Sequence, residues 1–431
     1  MSYLRIISFL FLILNIFLTI YGTHFFIFVI VGIFFKRRFP KTKKKHKYGI
    51  IIPARNEEKV VGNLIKSIQK NKYPQDKLQI FVIAHNCNDN TAKISRDLGA
   101  IVYEYNNPLE NTMGYAFKYL FSKIEEDYGT QNYDGFFLFN ADNILSVDYF
   151  EKMNDAFEYF KGERVITSCR NSKNFGANVI SASYGLYFLS GCRFECRGRS
   201  VLDCSTRVQG TGYVINSKIV EDGWKYVTLT EDWEFTADQI LQGRKITYCD
   251  DAVFYDEQPT TVKIMLRQRL RWARGHLLVF FSKGKSLFTR LFKRLPKEKN
   301  NKYSTYDILI NVLPTFVITT VILLMELILV IFAPLFITNY IDLWNQCLLY
   351  LVNSIYIGYF VVLINGIMIL ICERKRINGV SPITKIMLLF FWPIFLLLSH
   401  PLSIISVFKK VEWKSIPHTD TTDIEKLSKV K

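Results

Sequence analysis

Three short clusters in this 431-residue chain combine residue types that do chemistry. Asn140-Ala141-Asp142 follows directly on the apolar run Gly135 to Phe139. A carboxylate at such a strand end suits a hard cation, since Mg²⁺ binds through one or two carboxylates plus substrate phosphates. An Asn/Asp turn uses the same residues. Thr230-Glu231-Asp232 opens the segment Thr230 to Leu241, which predicts a helix with Thr230 as N-cap and two acids at its positive end. A carboxylate there can take the proton from an attacking hydroxyl, although a capped surface helix accounts for the same pattern. Gln268, Arg271 and Trp272 fall on one face of a basic helical stretch. An Arg fork fits phosphate oxygens, and a Trp ring offers a flat surface to a sugar. The same residues also suit an interfacial helix, with Arg at headgroups and Trp in the aromatic belt.

The elements that must position these clusters alternate regularly. Tyr48 to Ala54, Leu78 to Ala84, Ala100 to Tyr105 and Gly135 to Phe139 read as buried strands. Between them, Glu57 to Lys70, Asp89 to Leu98 (capped by Asn88 or Asp89) and Thr112 to Glu126 read as helices. This alternation predicts an α/β domain with a mostly parallel sheet covered on both faces. Ligands of such sheets bind past the carboxyl ends of the strands. Those ends carry Pro53 to Glu57, His85 to Asp89, and Asn140 to Asn143.

Composition supplies the setting. A chain that is 49% hydrophobic and 15% aromatic is not disordered, and eight Cys in this length do not make a disulfide scaffold. The net charge of +17 suits nucleic acid or an anionic membrane face equally. Its placement decides between them. Lys36 to Lys47 holds eight Lys/Arg and no acid, and Arg267 to Lys302 holds twelve against Glu298 alone. Both runs flank long apolar stretches, the positive-inside pattern of a membrane protein, and a nucleic-acid partner is excluded on the same ground. Ile6 to Phe35 is uncharged and too long for a signal peptide, so it reads as an anchor, either one tilted helix or a hairpin near Gly22. Three further apolar blocks follow, Ile308 to Ile337, Leu348 to Cys372 and Ile386 to Phe408. The basic residues at 373–376 and at Lys409-Lys410 both belong on the cytoplasmic side, which a single full crossing cannot satisfy. Pro393 and Pro401 favour a bent, re-entrant last block. Glu326 inside the Ile308 to Ile337 block serves helix packing or a wet path.

The ordered set resembles the membrane-embedded family 2 glycosyltransferases of GT-A fold, the group of cellulose, chitin, hyaluronan and poly-N-acetylglucosamine synthases. The matching residues are Ile52 to Glu57, the turn Ala84 to Thr91, Asn140-Ala141-Asp142, Gly210-Thr211-Gly212, Thr230-Glu231-Asp232 and Gln268 to Trp272, the family's QxxRW. The resemblance implies a Rossmann-like catalytic domain on the cytoplasmic side of the cell membrane, with transmembrane helices at both ends. The expected divisions are an anchor at 1–36, the catalytic domain at 48–280, a basic interfacial region at 281–305, membrane helices at 306–408 and a tail at 409–431. It implies a UDP-sugar donor bound by Pro53, Asn56, Glu57 and His85, with Asn140 alongside. Asp142 would hold a divalent cation, Mg²⁺ or Mn²⁺. Asp232 would be the base, supported by Glu231, and Gln268, Arg271 and Trp272 would hold the diphosphate and acceptor. Gly210, Thr211 and Gly212 would let backbone approach the substrates.

The implied activity is inverting transfer that extends a β-linked polysaccharide and passes it through the membrane segments. A one-step transfer to a lipid acceptor is the alternative within the same chemistry, and a transporter with a nucleotide-sugar-binding domain is the alternative outside it. Cys192 and Cys196 lack a second ligand pair for zinc and read as reduced structural thiols. Trp413, Lys414 and His418 lie in a tail that reads as a solvated terminus rather than one reaching back to the site.

Overall fold

The computed structural model describes residues 3–294, 301–377 and 379–429. The first element, α1 (Tyr3–Phe34), is one unbroken helix, so the hairpin at Gly22 does not form. Its last turns dock on the catalytic domain, where Arg193 Nη2 donates to Ile33 O at 2.8 Å and Arg197 Nε to Phe35 O at 2.9 Å. The basic run that follows is not simply a lipid-facing collar. Lys36 pairs with Asp250 at 3.4 Å, Arg37 with Asp203 at 2.8 Å and Lys44 with Glu158 at 3.2 Å, all on the domain.

The chain then alternates through β1 (Tyr48–Ala54), α2 (Val61–Gln69), β2 (Leu78–His85), α3 (Thr91–Asp97), β3 (Ile101–Tyr105), α4 (Met113–Tyr128) and β4 (Gly135–Leu138). Side chains alternate across a strand. In β1, Ile50 and Ile52 therefore enter one core with Leu64, Val82 and Phe150, while Ile51 enters the other with Phe81, Leu120 and Phe136. Helix α2 begins four residues later than expected. Asn56 takes a left-handed φ of 56°, and the following residues form a turn instead, with the amides of Glu57 and Glu58 accepted by Thr91 Oγ1 and Asp89. Asp89 thus works one residue ahead of the true N-cap, Asn90, and its side chain also receives the Thr91 amide at 3.0 Å.

The second half contributes β5 (Ile144–Leu145), α5 (Tyr149–Tyr159), β6 (Val165–Ser172), α6 (Val179–Ser190), a π-helical turn at Gly191–Cys196, α7 (Arg197–Val201), β7 (Tyr213–Asn216), α8 (Glu231–Leu241), β8 (Ile246–Asp256) and α9 (Val262–Phe292). The sheet runs β3-β2-β1-β4-β7-β6-β8-β5. Four of its seven pairings are parallel, and the antiparallel three all involve β5 or β7. Between β6 and β8 the register jumps from Ser168–Cys249 to Cys169–Val253, an irregularity of the kind that re-aims side chains beside functional sites. Cys192 and Cys196 are buried and unbridged. Helix α9 runs straight through residue 280, where the sequence placed the end of the catalytic domain.

Past α9 come α10 (Lys302–Val312), α11 (Thr315–Phe332), α12 (Tyr340–Cys372), α13 (Pro382–Leu397), α14 (Ser399–Phe408) and α15 (Ile424–Lys429). Among the described residues, four segments are long and apolar enough to cross a membrane: Tyr3–Phe34, Thr315–Leu335, Tyr340–Cys372 and Pro382–Phe408. Glu326 faces inward on α11 with Thr315 and Thr319. The last segment differs from the others in what it touches. Ahead of it, Arg376 pairs with Asp250 at 3.1 Å. At its middle, Arg269 of α9 reaches both Phe395 O and Ser399 Oγ. At its end, Arg274 donates to Ser406 O at 2.9 Å. It therefore touches the α/β domain at its start, middle and end. The two helices divide at Leu398, not at a proline: Pro393 lies inside α13, and Pro401 in the first turn of α14, where a missing amide costs nothing.

Candidate active site

Two groups of side chains face each other past the strand ends. The first lies in a cavity of about 650 Å³ whose lining includes Asn140, Gly210, Glu231, Asp232, Gln268 and Arg271, with Trp272 beside them. Glu231 and Asp232 open α8, where the helix dipole favours negative charge. Burial raises both carboxyls, and their mutual repulsion pushes Glu231 up to about 8, while Arg271 opposes the shift. Glu231 therefore keeps its proton at neutral pH, and the two carboxyls titrate as one coupled pair. Thr230 sits at the N-cap position but makes no cap, and its Oγ1 is buried without a partner. A glycine at 275 lets α9 press against it: a Cβ there would lie 2.3 Å from Thr230.

Gln268, Arg271 and Trp272 share one face of α9, as their spacing predicts. Arg271 Nη1 donates to Leu229 O at 2.6 Å, and among the described residues no ion pair consumes the rest of its fork. Burial lowers its pKa. Gln268 Oε1 is buried and unpartnered. Trp272 stacks at 20° to Tyr187, with ring centres 6.2 Å apart, and meets Tyr184 and Phe188 edge-on. Gly210 has φ 79°, and a Cβ there would stand 3.6 Å from Asp232 Oδ2. Gly212 has φ 69°, and a Cβ there would overlap the Phe254 ring. Thr211 between them is buried, its hydroxyl accepting the Asn140 amide at 2.9 Å, so it braces the Asn140 turn from behind.

The second group surrounds Asp142. Its Oδ2 accepts the Glu257 amide at 2.7 Å, and Asn143 Nδ2 lies 3.2 Å from Oδ1. His418 of the tail lies opposite, with Nδ1 2.8 Å from Glu57 Oε1 and Nε2 4.0 Å from Asp142 Oδ2. The expectation of a solvated tail is therefore overturned. Trp413 stacks on Arg55 at 4.5 Å, Arg267 holds Ser415 O at 3.0 Å, and Lys173 holds Asp420 O at 2.8 Å. Glu257 accepts the amides of Thr419 and Asp420, each at 2.9 Å. Burial opposes charging of His418, but Asp142 and Glu57 outweigh it and push the ring up to about 9. Among the described residues no three His, Cys, Asp or Glu gather around one point. Asp142 nevertheless fits the pattern of a cation held by few protein donors plus substrate phosphates, in the place that the charged His418 ring faces.

The remaining expected residues are close by but differently employed. Asn56 Oδ1 accepts the Asn88 amide at 2.9 Å, tying the turns after β1 and β2 together, and Pro53 lies within β1, paired with Ile83. His85 is buried. Arg55 Nη2 lies 2.9 Å from its Nδ1, Glu110 O 2.7 Å from its Nε2, and Tyr105 stacks on the ring. Burial and Arg55 lower its pKa to about 4, so it is a neutral bracing group here. The sequence reading missed Arg170 and Asp256. Arg170 lines the cavity and pairs with Asp256 at 2.5 Å, just past the β6–β8 register jump. Asp256 ends β8 as Asp142 follows β4, so the strand-end rule applied to the second half of the chain finds it.

Comparison with known proteins follows this geometry. Residues 46–275 match the family described as glycosyltransferase like family 2. "Probable glycosyltransferase YdaM" of Bacillus subtilis (strain 168) is 28% identical over 258 residues, 57% of this chain and 60% of that protein. The 4,4'-diaponeurosporenoate glycosyltransferase of Staphylococcus aureus (strain N315) is 42% identical over 76 residues, 17% of this chain and 20% of that protein. The chain thus spans less than two thirds of the length of these curated relatives. The mannosyltransferase PcManGT of Pyrobaculum calidifontis, solved with GDP-Man and Mn²⁺, shares the fold at a TM-score of 0.51 and 11% identity, over 91% of this chain and 98% of that one.

Proposed function

The chain belongs to glycosyltransferase family 2, and on that footing we propose that it transfers a sugar from a UDP-sugar to an acceptor hydroxyl with inversion at the anomeric carbon. The observation that carries this is the carboxylate pair Glu231–Asp232 facing Gln268, Arg271 and Trp272 across one cavity. Asp232 accepts the acceptor's proton as its oxygen bonds to the anomeric carbon. The bond from that carbon to the diphosphate breaks, and the nucleoside diphosphate leaves with the electron pair. Glu231, protonated at neutral pH, keeps a second negative charge from that face. Arg271 offers its unpaired donors to the leaving diphosphate. Asp142 would hold a divalent cation, Mg²⁺ or Mn²⁺, which supplies charge neutralisation to the diphosphate when bound.

We further place the catalytic domain on the cytoplasmic side of a cell membrane, crossed by α1, α11 and α12. Because the Pro382–Phe408 segment begins and ends on the domain, the basic residues at 373–376 and at Lys409-Lys410 stay on one side, which removes the parity conflict. The acceptor is either the free end of a β-linked glycan or the hydroxyl of a lipid, and both use the same base. A transporter would leave Asp232 and the α9 residues without a role. The test is a panel of UDP-sugars supplied with Mg²⁺ or Mn²⁺, with UDP release measured. One donor should be consumed in an ion-dependent way, and no release from any donor with either ion would overturn the proposal.

A further inference from the structure

The cavity that holds Asp232 does not stop at the catalytic residues. Its far end is walled by Tyr21 and Phe25 of α1, by Thr315 to Val317 in the first turn of α11, by Val362 of α12, and by the bend between α13 and α14. One end is thus acidic and aromatic and the other largely apolar, and the apolar end is built from the helices assigned above to the bilayer.

Two features decide what such a cavity holds. The first is where it ends. Neither α1 before Tyr21 nor α11 beyond Val317 lines it, although α11 continues to Phe332. At 1.5 Å per residue that leaves about 22 Å of helix beyond the cavity. The cavity therefore stays in the near leaflet. The second is the number of crossings. Packed helices lie about 8–10 Å apart, so three of them enclose no lumen wide enough for a sugar chain. The charges speak to the headgroup. Arg170 is consumed by Asp256, Arg207 by Glu195, and Arg269 by Phe395 O and Ser399. Arg271 is placed for the donor's diphosphate, and among the described residues the acidic Glu231–Asp232 end offers an anionic headgroup no free cation.

Resting on the glycosyltransfer reading, we propose that the acceptor is a single neutral, hydroxyl-bearing membrane lipid. It enters from the near leaflet, places its headgroup hydroxyl at Asp232, and leaves its chains against Phe25, Phe316, Phe395 and Leu402. The Trp272 aromatic group then packs on the headgroup or on the transferred sugar.

The test uses the full chain in phosphatidylcholine vesicles with and without dioleoylglycerol, supplied with the labelled UDP-sugar that supports UDP release. The expected result is label in the organic extract that depends on dioleoylglycerol. Leu402→Trp and Val317→Trp narrow the apolar end and should each lower that label about ten-fold. Leu349→Trp on the exposed part of α12 should leave it unchanged, and calorimetric UDP binding reports whether each variant is folded. Label in a high-mass aqueous polymer, or label that requires undecaprenyl phosphate, would overturn the acceptor class while leaving glycosyltransfer intact. Absence of UDP release from every donor would instead remove the reading beneath it.

Discussion

The tail is held to the domain by a contact whose strength follows from its charge. His418 is protonated up to about pH 9 because Asp142 and Glu57 outweigh the cost of its burial. A free imidazole titrates near 6.5. The raised pKa means that docking of the charged ring stabilises the closed tail fully below about pH 6.5. That stabilisation is lost as the pH climbs through about 9. The difference of about 2.5 pH units corresponds to about 3 kcal/mol, or roughly two orders of magnitude in the open population. His418→Gln removes the charge and keeps some hydrogen bonding, so it should expose the tail by about that factor at pH 7.

Limited trypsin digestion reads this directly, since Lys409, Lys410 and Lys414 flank the docked stretch. When opening and closing are fast relative to cleavage, the rate tracks the open population. With EDTA present, so that no cation competes at Asp142, the His418→Gln tail should be cut about 100-fold faster than the wild type at pH 7. The two rates should converge as the pH passes about 9.5, once trypsin's own pH dependence is normalised on a peptide substrate. Equal rates at pH 7, or a gap that persists at pH 10, would refute the assignment of the charged ring as the latch. The backbone bonds to Glu257, Lys173 and Arg267 would then be doing the holding.

Other outcomes follow from the same geometry. Asp232→Asn should lower turnover by about 10²–10⁴-fold while calorimetric UDP binding is retained. Glu231→Gln should remove an inflection near pH 8 from the pH–rate profile, because that variant cannot ionise there. Asp142→Asn should abolish the dependence of UDP binding on added Mn²⁺, read by titration with and without the ion. Asp307→Ala strips the buried Arg199 of its carboxylate, which lies 2.9 Å from Nη2 and 2.6 Å from His24 Nε2, and should cost about 3–5 kcal/mol of stability in thermal unfolding.

What was legible in the sequence was local. The strands β1 to β4 lie within a residue of their expected bounds because each is a short, continuous apolar run between turn residues. Gln268, Arg271 and Trp272 line one cavity because helical spacing puts them on one face, and Glu231 and Asp232 reach it from the first turn of α8. The helix starts were less legible. The amides of Glu57 and Glu58 are claimed by Thr91 and Asp89, about thirty residues on, so propensity alone places α2 too early. His418 was least legible: 361 residues separate it from Glu57, and an Ile-Pro-His-Thr segment carries no periodic signal of where it docks. The Asp256–Arg170 pair escaped for a related reason, since it depends on a register jump between two strands that meet only in the folded sheet.

The basic excess on this chain does two jobs that composition cannot separate. In the second run, Arg269 and Arg274 turn toward α13 and α14, Arg267 toward the tail, and Arg271 toward Leu229 O beside the catalytic pair. A helix whose cations all faced lipid would leave the Pro382–Phe408 segment free to cross the bilayer, as its apolar length permits. Here Arg269 caps the carbonyl of Phe395 at the bend and so ties the middle of that segment to the domain. A buried guanidinium leaves such partners only at a cost of several kcal/mol. The same residue lines the cavity and holds Phe395 within reach of Tyr184, which touches Trp272. The packing of the Pro382–Phe408 segment and the shape of the cavity wall it forms are in this way set together, by the cations of α9.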